Sequence, residues 1–171
     1  LHVNHVVGPG RDVSVSVRAS APVIAERPMY FLYHGAWSGG HCVTGVPSAG
    51  TEWHFAEGTT REGFEEWLCL QNPGEERATA ELAFMTGEGE VIPYALELAP
   101  HSRSTLHVNH VVGPGRDVSV SVRASAPVIA ERPMYFLYPG AWSGRPRPTP
   151  PPPPGTQPHL AEGTPRVGLE E

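Results

Sequence analysis

The stretch LHVNHVVGPGRDVSVSVRASAPVIAERPMYFLYHGAWSG, residues 1–39, decides the fold, because it returns almost unchanged as residues 106–144. A single exchange separates the two copies, with Pro139 standing where the first copy has His34. The copies begin 105 positions apart. A period of about 100 residues exceeds the roughly 20 to 50 residues of a solenoid unit and matches a small domain. The chain is therefore predicted to be a slice of a tandem array of domains.

The same offset relates AEGTTREGFEE, residues 56–66, to AEGTPRVGLEE, residues 161–171, so the register is kept along the whole chain. We call residues 53–105 the opening half of a repeat, residues 106–144 the closing half, and residues 1–39 the upstream copy of the closing half. The predicted organisation is a preceding half-repeat (1–38), a linker (39–52), one complete repeat (53–144), a Pro-rich linker (145–158) and the start of a following repeat (159–171).

Alternation of apolar and polar residues, which places every second side chain on one face, predicts β-strands across the complete repeat. It is clearest where Val118, Val120 and Val122 alternate with polar neighbours. A continuously apolar run suits a central strand. The last strand, 128–138, contains Pro133, which lacks an amide donor and predicts an edge, a bulge or a change of phase there. The other predicted segments are a hairpin of 78–84 with 94–98, a central strand at 64–71, a strand beginning at 106–108 and a strand at 53–56.

About seven short strands in roughly 90 residues, punctuated by a chain total of 19 Gly and 20 Pro, favour an all-β, immunoglobulin-like antiparallel β-sandwich. Either copy of the duplicated strands has the side chains to complete it. The downstream copy follows the tight turn at 99–102, whereas the upstream copy must return through a linker of about 14 to 20 residues, at about 1 kcal/mol more in closure entropy. We therefore expect residues 1–38 to be left as a half-sandwich that favours domain-swapped dimers.

Charge and composition exclude several classes of protein. The formal net charge is −6 and no basic cluster is present, which argues against a nucleic-acid partner. No apolar run approaches the roughly 18 residues of a membrane-spanning helix, so no membrane span is expected. The two cysteines, Cys42 and Cys69, do not form a spaced disulfide framework.

Four motifs together resemble the tandem repeats of unknown function found in large secreted or surface bacterial proteins. They are WHFAEGTTREGFEEWLCLQNPG (53–74), APHSRSTLHVN (99–109), VIAERPMYF (128–136) and GAWSGG (35–40). The resemblance covers nearly the whole chain except residues 145–158. It implies an extracellular or cell-surface location and a non-catalytic structural or spacer role, with neighbouring repeats as partners. The family's repeat carries no catalytic residues, so none is expected here.

Candidate metal and catalytic residues are better explained as ordinary surface groups. His107 and His110, repeated as His2 and His5, resemble metal ligands, but residues three apart on a strand point in opposite directions. No metal site is therefore expected. No serine lies in a nucleophile elbow, and Gly113-Pro114-Gly115 lacks the spacing of a phosphate loop. We expect neither enzyme activity nor a cofactor.

The tryptophans support the principal alternative, a carbohydrate- or cell-wall-binding module that stacks sugar rings on exposed Trp and Tyr. The candidate stacking residues are Trp37, its copy Trp142, and Trp53. Such a platform needs two or more coplanar exposed rings, whereas rings that pack repeat against repeat would be buried. We favour packing and leave polysaccharide binding as the alternative.

The segment RPRPTPPPPPGTQP, residues 145–158, departs from the repeat. It carries eight prolines in 14 residues. Such a run favours an extended polyproline II spacer of roughly 40 Å at about 3.1 Å per residue.

Overall fold

A computed structural model of the protein describes residues 1–35, 37–138, 142–143, 159–160 and 169–170. In chain order, the elements are α1 (Val3–Val7), β1 (Val15–Ser16), β2 (Glu26–Tyr33), β3 (Trp37–Thr44), β4 (Gly50–Phe55), β5 (Phe64–Asn72), β6 (Ala78–Thr86), β7 (Val91–Leu98), β8 (Ser102–His107), α2 (Val108–Val112), β9 (Val118–Glu131), β10 (Met134–Tyr138), β11 (Trp142–Ser143), β12 (His159–Leu160) and β13 (Leu169–Glu170). Two units can be separated, residues 49–134 and residues 1–48 with 135–171.

The unit of residues 49–134 is organised around the long strand β9. Its residues Val118–Ala124 pair antiparallel with β6, and the same strand pairs with β4 on its other edge. Its last residues, Ile129–Glu131, pair with β5, which also pairs with β8. One strand therefore belongs to two antiparallel sheets and joins them, and the predicted all-β sandwich is confirmed.

The core of this unit lies between the inward faces of those strands. Phe84 on β6 and Leu68 on β5 are fully buried, and Val120 on β9 is 1% exposed. Trp53 and Phe55, on β4, pack against this cluster from its side. Full burial of a Val, Leu or Phe side chain contributes about 1.5 to 3 kcal/mol, so the alternation read in the sequence also carries most of the stabilisation.

Several strand predictions are confirmed by the pairing. β6 and β7 form the expected antiparallel hairpin, with Ala80 opposite Leu96. β5 lies between β8 and β9, as its apolar run predicted. At Pro133, where an edge, a bulge or a change of phase was expected, the strand is interrupted: β9 ends at Glu131 and β10 begins at Met134.

The strand predicted to begin at residues 106–108 is wrong in its second part. β8 ends at His107, and Val108 begins the short helix α2. Val108 and Val112, four residues apart, lie on one face of that helix and are both buried. Two apolar residues four positions apart fit one face of a helix. In the sequence this was not apparent, because Leu106 and Val108 also fit the alternation of a strand.

Most of the segment predicted as a linker, residues 39–52, is strand, and it crosses from one unit into the other at residue 49. β2 pairs with β3 along their full lengths in an antiparallel hairpin, and the segment ends inside β4. The paired glycines of β3 allow this, because a Cβ at Gly39 would lie 2.8 Å from the Phe31 ring and one at Gly40 would lie 3.0 Å from the Met29 carbonyl oxygen. Small residues in β3 therefore leave room for the β2 side chains.

The complete repeat predicted at 53–144 and the described unit at 49–134 overlap without coinciding. Residues 139–141 and 144 lie outside the described part of the chain, so this boundary stays a prediction. The same holds for the predicted Pro-rich linker, 145–158, and for the start of a following repeat, 159–171, apart from the two-residue strands β12 and β13.

We predict that Phe84→Ala lowers the free energy of unfolding of the 49–134 unit by about 3 to 5 kcal/mol, because the fully buried ring leaves a cavity. Denaturant unfolding followed by Trp fluorescence measures the change. The matched control is Val91→Ala on the adjoining strand, where the side chain is 58% exposed and an effect within about 0.5 kcal/mol is expected. Equal losses in the two variants would contradict the assigned core.

Candidate functional site: polar clasps between the halves of the repeat

Trp53, a candidate stacking residue, is held in place by hydrogen bonds and packing within the domain. Its indole N–H is shared between two backbone carbonyls, those of Val128 at 3.1 Å and Gly50 at 3.3 Å. The ring is half-buried against the core. A ring fixed at its polar end and packed along its side has little free face for a sugar.

Trp37 lies in an aromatic cluster with residues of the β2 hairpin. Its ring is tilted by 44° from that of Tyr33, with the centroids 5.8 Å apart. Tyr33 is in turn stacked on Tyr135, with centroids 4.5 Å apart and planes 4° apart, and Phe31 meets Tyr135 edge-on. Because Tyr135 is only 5% exposed, this coplanar pair does not offer the two exposed rings of a stacking platform. The side chain of Trp142, on β11, lies outside the described residues.

The histidines of the closing half lie closer together than a strand would allow. Because the chain turns into α2 at Val108, the His107 and His110 rings have centroids 4.2 Å apart, and His107 also stacks on Trp67 at 4.2 Å. The expectation that these two side chains point in opposite directions is wrong, since it assumed a continuous strand. Within the described residues, no group of three or more His, Cys, Asp or Glu side chains is arranged to hold a metal ion.

Asn109, on α2, holds the start of β5. Its side-chain oxygen accepts a hydrogen bond from the Glu66 backbone N–H at 2.9 Å, and its side-chain nitrogen donates to the Phe64 carbonyl at 2.9 Å. The amide thus replaces the backbone partner that a neighbouring strand would provide. This pair of hydrogen bonds joins the closing half to the opening half.

Thr60, in the AEGTT motif of the opening half, makes a second connection of the same kind. Its hydroxyl donates to the Gly113 carbonyl at 2.7 Å and accepts from the Arg116 backbone N–H at 3.1 Å. Two backbone bonds flank it, from Gly115 to Thr60 and from Val118 to Gly58, both 2.9 Å. The Gly-Pro-Gly turn of the closing half is therefore fastened to the opening half.

Asn72, in the LQNP motif, makes hydrogen bonds that connect two parts of the opening half. Its side-chain nitrogen donates to the carbonyls of Glu76, Leu98 and Ala99 at 2.7 to 3.2 Å. Its side-chain oxygen accepts from the Gly74 backbone N–H at 3.0 Å. This buried amide ties the end of β5 to the end of β7, directly before the turn that leads into β8.

A buried carboxylate completes the contact between the halves. Glu66 is fully buried on β5, and its nearest charged partner is the Arg132 guanidinium, 4.0 Å away at the end of the closing half's long strand. Gly58 packs directly against the Glu66 carboxylate. A larger residue would not fit there, because a Cβ at that position would collide with the carboxylate. The glycine of the AEG motif is therefore required by the buried side chain of Glu66, in the GFEE segment.

Burial raises the pKa of Glu66 to about 7, from an ordinary value of 4.5, although the Arg132 guanidinium favours the charged form. Between pH 4.5 and 7 the folded protein therefore holds a proton that the unfolded chain has released. The stabilisation from this proton is complete below pH 4.5 and is lost as the pH rises to about 7.

The outer face of the β4–β9–β6–β7 sheet carries an open groove of about 670 Å³. His54 and Ser121 are hydrogen-bonded across it at 3.1 Å, and Arg123 pairs with Glu52 at 3.1 Å. Tyr94, 38% exposed, contributes an aromatic side chain. This groove could not be predicted from the sequence, because outward polar residues of alternating strands look alike whether or not they line a depression.

Comparisons with known proteins add the fold and no function. No protein-family model matches the chain, and no curated protein matches it. Among solved structures, Thermotoga maritima 1070 is 15% identical over 68% of this chain and 95% of its own, with a TM-score of 0.51. Anabaena sensory rhodopsin transducer is 22% identical over 49% of this chain and 95% of its own, with a TM-score of 0.45. At 15% identity, the likeness to Thermotoga maritima 1070 concerns the fold alone.

We predict that unfolding stability of the native chain falls by about 3 kcal/mol between pH 4.5 and 7 through Glu66 alone, since 2.5 pKa units correspond to that free energy. Glu66→Gln removes the titrating group, so the difference between native and variant stability should change by that amount across the range. Urea unfolding at several pH values measures it, with the exposed Glu81→Gln as control. A difference that is constant with pH would contradict the assignment.

Proposed function

We propose that this chain is a non-catalytic structural or spacer repeat of a secreted or cell-surface bacterial protein. The observation that carries the proposal is that polar residues of the motifs make their contacts within the domain itself. Thr60, Asn72, Asn109 and Arg132 all direct their polar groups at the domain's own backbone or at Glu66. Motifs that hold a fold together are what a repeated building block requires. The extracellular location rests on the family resemblance.

Contacts between the duplicated strands support the same role. Tyr33 belongs to the upstream copy and Tyr135 to the closing half of the next repeat, and their rings are stacked. Equivalent strands of successive copies therefore supply a hydrophobic contact, and neighbouring repeats are the partners that this surface fits. None of the helices in the described residues is long and apolar enough to cross a membrane.

Carbohydrate or cell-wall binding is the second candidate, and the outer-sheet groove is the observation that favours it. Tyr94 offers a partly exposed ring beside the polar pairs of His54 with Ser121 and Arg123 with Glu52. A ring face bordered by hydrogen-bonding side chains is the usual composition of a sugar subsite. One ring is fewer than a stacking platform uses, so we rank this candidate second.

Retention on peptidoglycan and on common insoluble polysaccharides separates the two candidates. The spacer role predicts no saturable binding, and Tyr94→Ala and Trp142→Ala should behave like the native chain. Pull-down isotherms over a wide range of protein concentration measure this. Saturable binding that is lost in Tyr94→Ala and kept in Val91→Ala would replace the spacer proposal with the groove, and loss in Trp142→Ala would place the ligand near β11.

A further inference from the structure

The upstream copy carries the same apolar residues as the closing half but leaves several of them more exposed, and within the described residues only β12 pairs with β1, in the register that β4 has with β9. In the closing half, Val128 and Ile129 are fully buried. Their equivalents Val23 and Ile24 are 37% and 70% exposed. The difference extends along the segment, since three further valines that are at most 3% exposed in the closing half have half-buried equivalents, Val13, Val15 and Val17.

Because the two copies have the same sequence, the strands that bury the closing half show which strands would bury the upstream copy. In the closing half, the valines of β9 are covered by β4, β5 and β6, with Leu68, Leu70 and Phe84 in the shared core. All of these belong to the opening half. The surface that fits residues 1–25 is therefore an opening half, with the same pattern of strands and the same apolar side chains.

A second copy of this chain does not meet the need. Each chain holds one complete opening half, the first residues of another (159–171) and two segments of closing-half sequence. Exchange between two chains keeps that ratio, so as much apolar surface is left uncovered after a swap as before it. Strand exchange between two chains therefore adds no net burial of apolar surface, and the domain-swapped dimer stays a prediction.

We propose that residues 1–25 form a docking surface for one additional opening half, a polypeptide segment equivalent to residues 53–105 and belonging to a further repeat. The inference rests on the repeat role proposed above and names the partner of a particular surface. An additional opening half can be attached ahead of Leu1 without a steric conflict. Leu1 corresponds to Leu106, so an opening half joined ahead of Leu1 reproduces the junction after the Ala99–Ser102 turn.

Thiol labelling tests the proposal in the full chain. Val23→Cys is made in a Cys42→Ser background, which leaves only the buried Cys69 thiol besides the new one. In this chain the introduced thiol should react rapidly with a maleimide. Placing a second copy of residues 49–105 ahead of Leu1 should slow the reaction at least about 10-fold. It should then approach the rate for Val128→Cys, the matched position in the closing half, which lies in the shared core.

The control is the same extended chain with Leu68→Asp and Phe84→Asp in the added segment only, which keeps its length but cannot pack. Rapid labelling in this control and slow labelling with the intact segment would support the docking surface. Equal rates in the original and extended chains would overturn it, and so would equal protection by the disrupted segment. Protection of the original chain that rises with its concentration would also overturn it, in favour of a second copy. Polysaccharide binding would contradict the proposed spacer role but would leave these labelling rates unchanged, so the two proposals can fail separately.

Discussion

The insertion of β9 between strands of the opening half is the interaction on which the rest of the structure depends. β9 supplies the valine face of the core, lies between β4 and β6, and continues into the second sheet beside β5. Neither half can bury its apolar face alone, because each half supplies strands to both sheets. The turn before β8 is short, so the closing half follows closely in sequence the strands with which it pairs. The upstream copy would need a longer connection, and the entropic cost of closing that connection disfavours it.

The polar residues of the motifs act on the same junction. Asn109 and Thr60 replace backbone partners where regular pairing stops, and an unsatisfied buried group there would cost about 1 to 3 kcal/mol. The pair of Glu66 and Arg132 is different in kind, because a buried carboxylate carries a desolvation cost that its partner only partly offsets. Such a pair specifies which segments meet more than it stabilises them, since Arg132 is supplied by one half and Glu66 by the other.

Strands with alternating side chains could be predicted from the sequence because alternation reports burial directly, as along β6 and β9. The helix at Val108–Val112 could not, because five residues are too short for a helical pattern to show. β3 was mistaken for a linker because its glycines lack side chains to alternate, and their use appears only once Phe31 lies against them. The buried Glu66 was also hidden, since local sequence does not show that a charged residue faces inward.

Identical substitutions in the two copies test most directly which copy completes the sandwich. Val120→Asp and Val15→Asp change equivalent residues, one at 1% exposure and one half-buried. Denaturant unfolding of the 171-residue chain, followed by Trp53 and Trp67 fluorescence, measures the outcome. The account predicts that Val120→Asp abolishes the cooperative transition or lowers stability by at least about 3 kcal/mol, because a charge enters the core, whereas Val15→Asp leaves the transition within about 1 kcal/mol of native. A Val15→Asp chain that loses as much stability as Val120→Asp, or more, would contradict it.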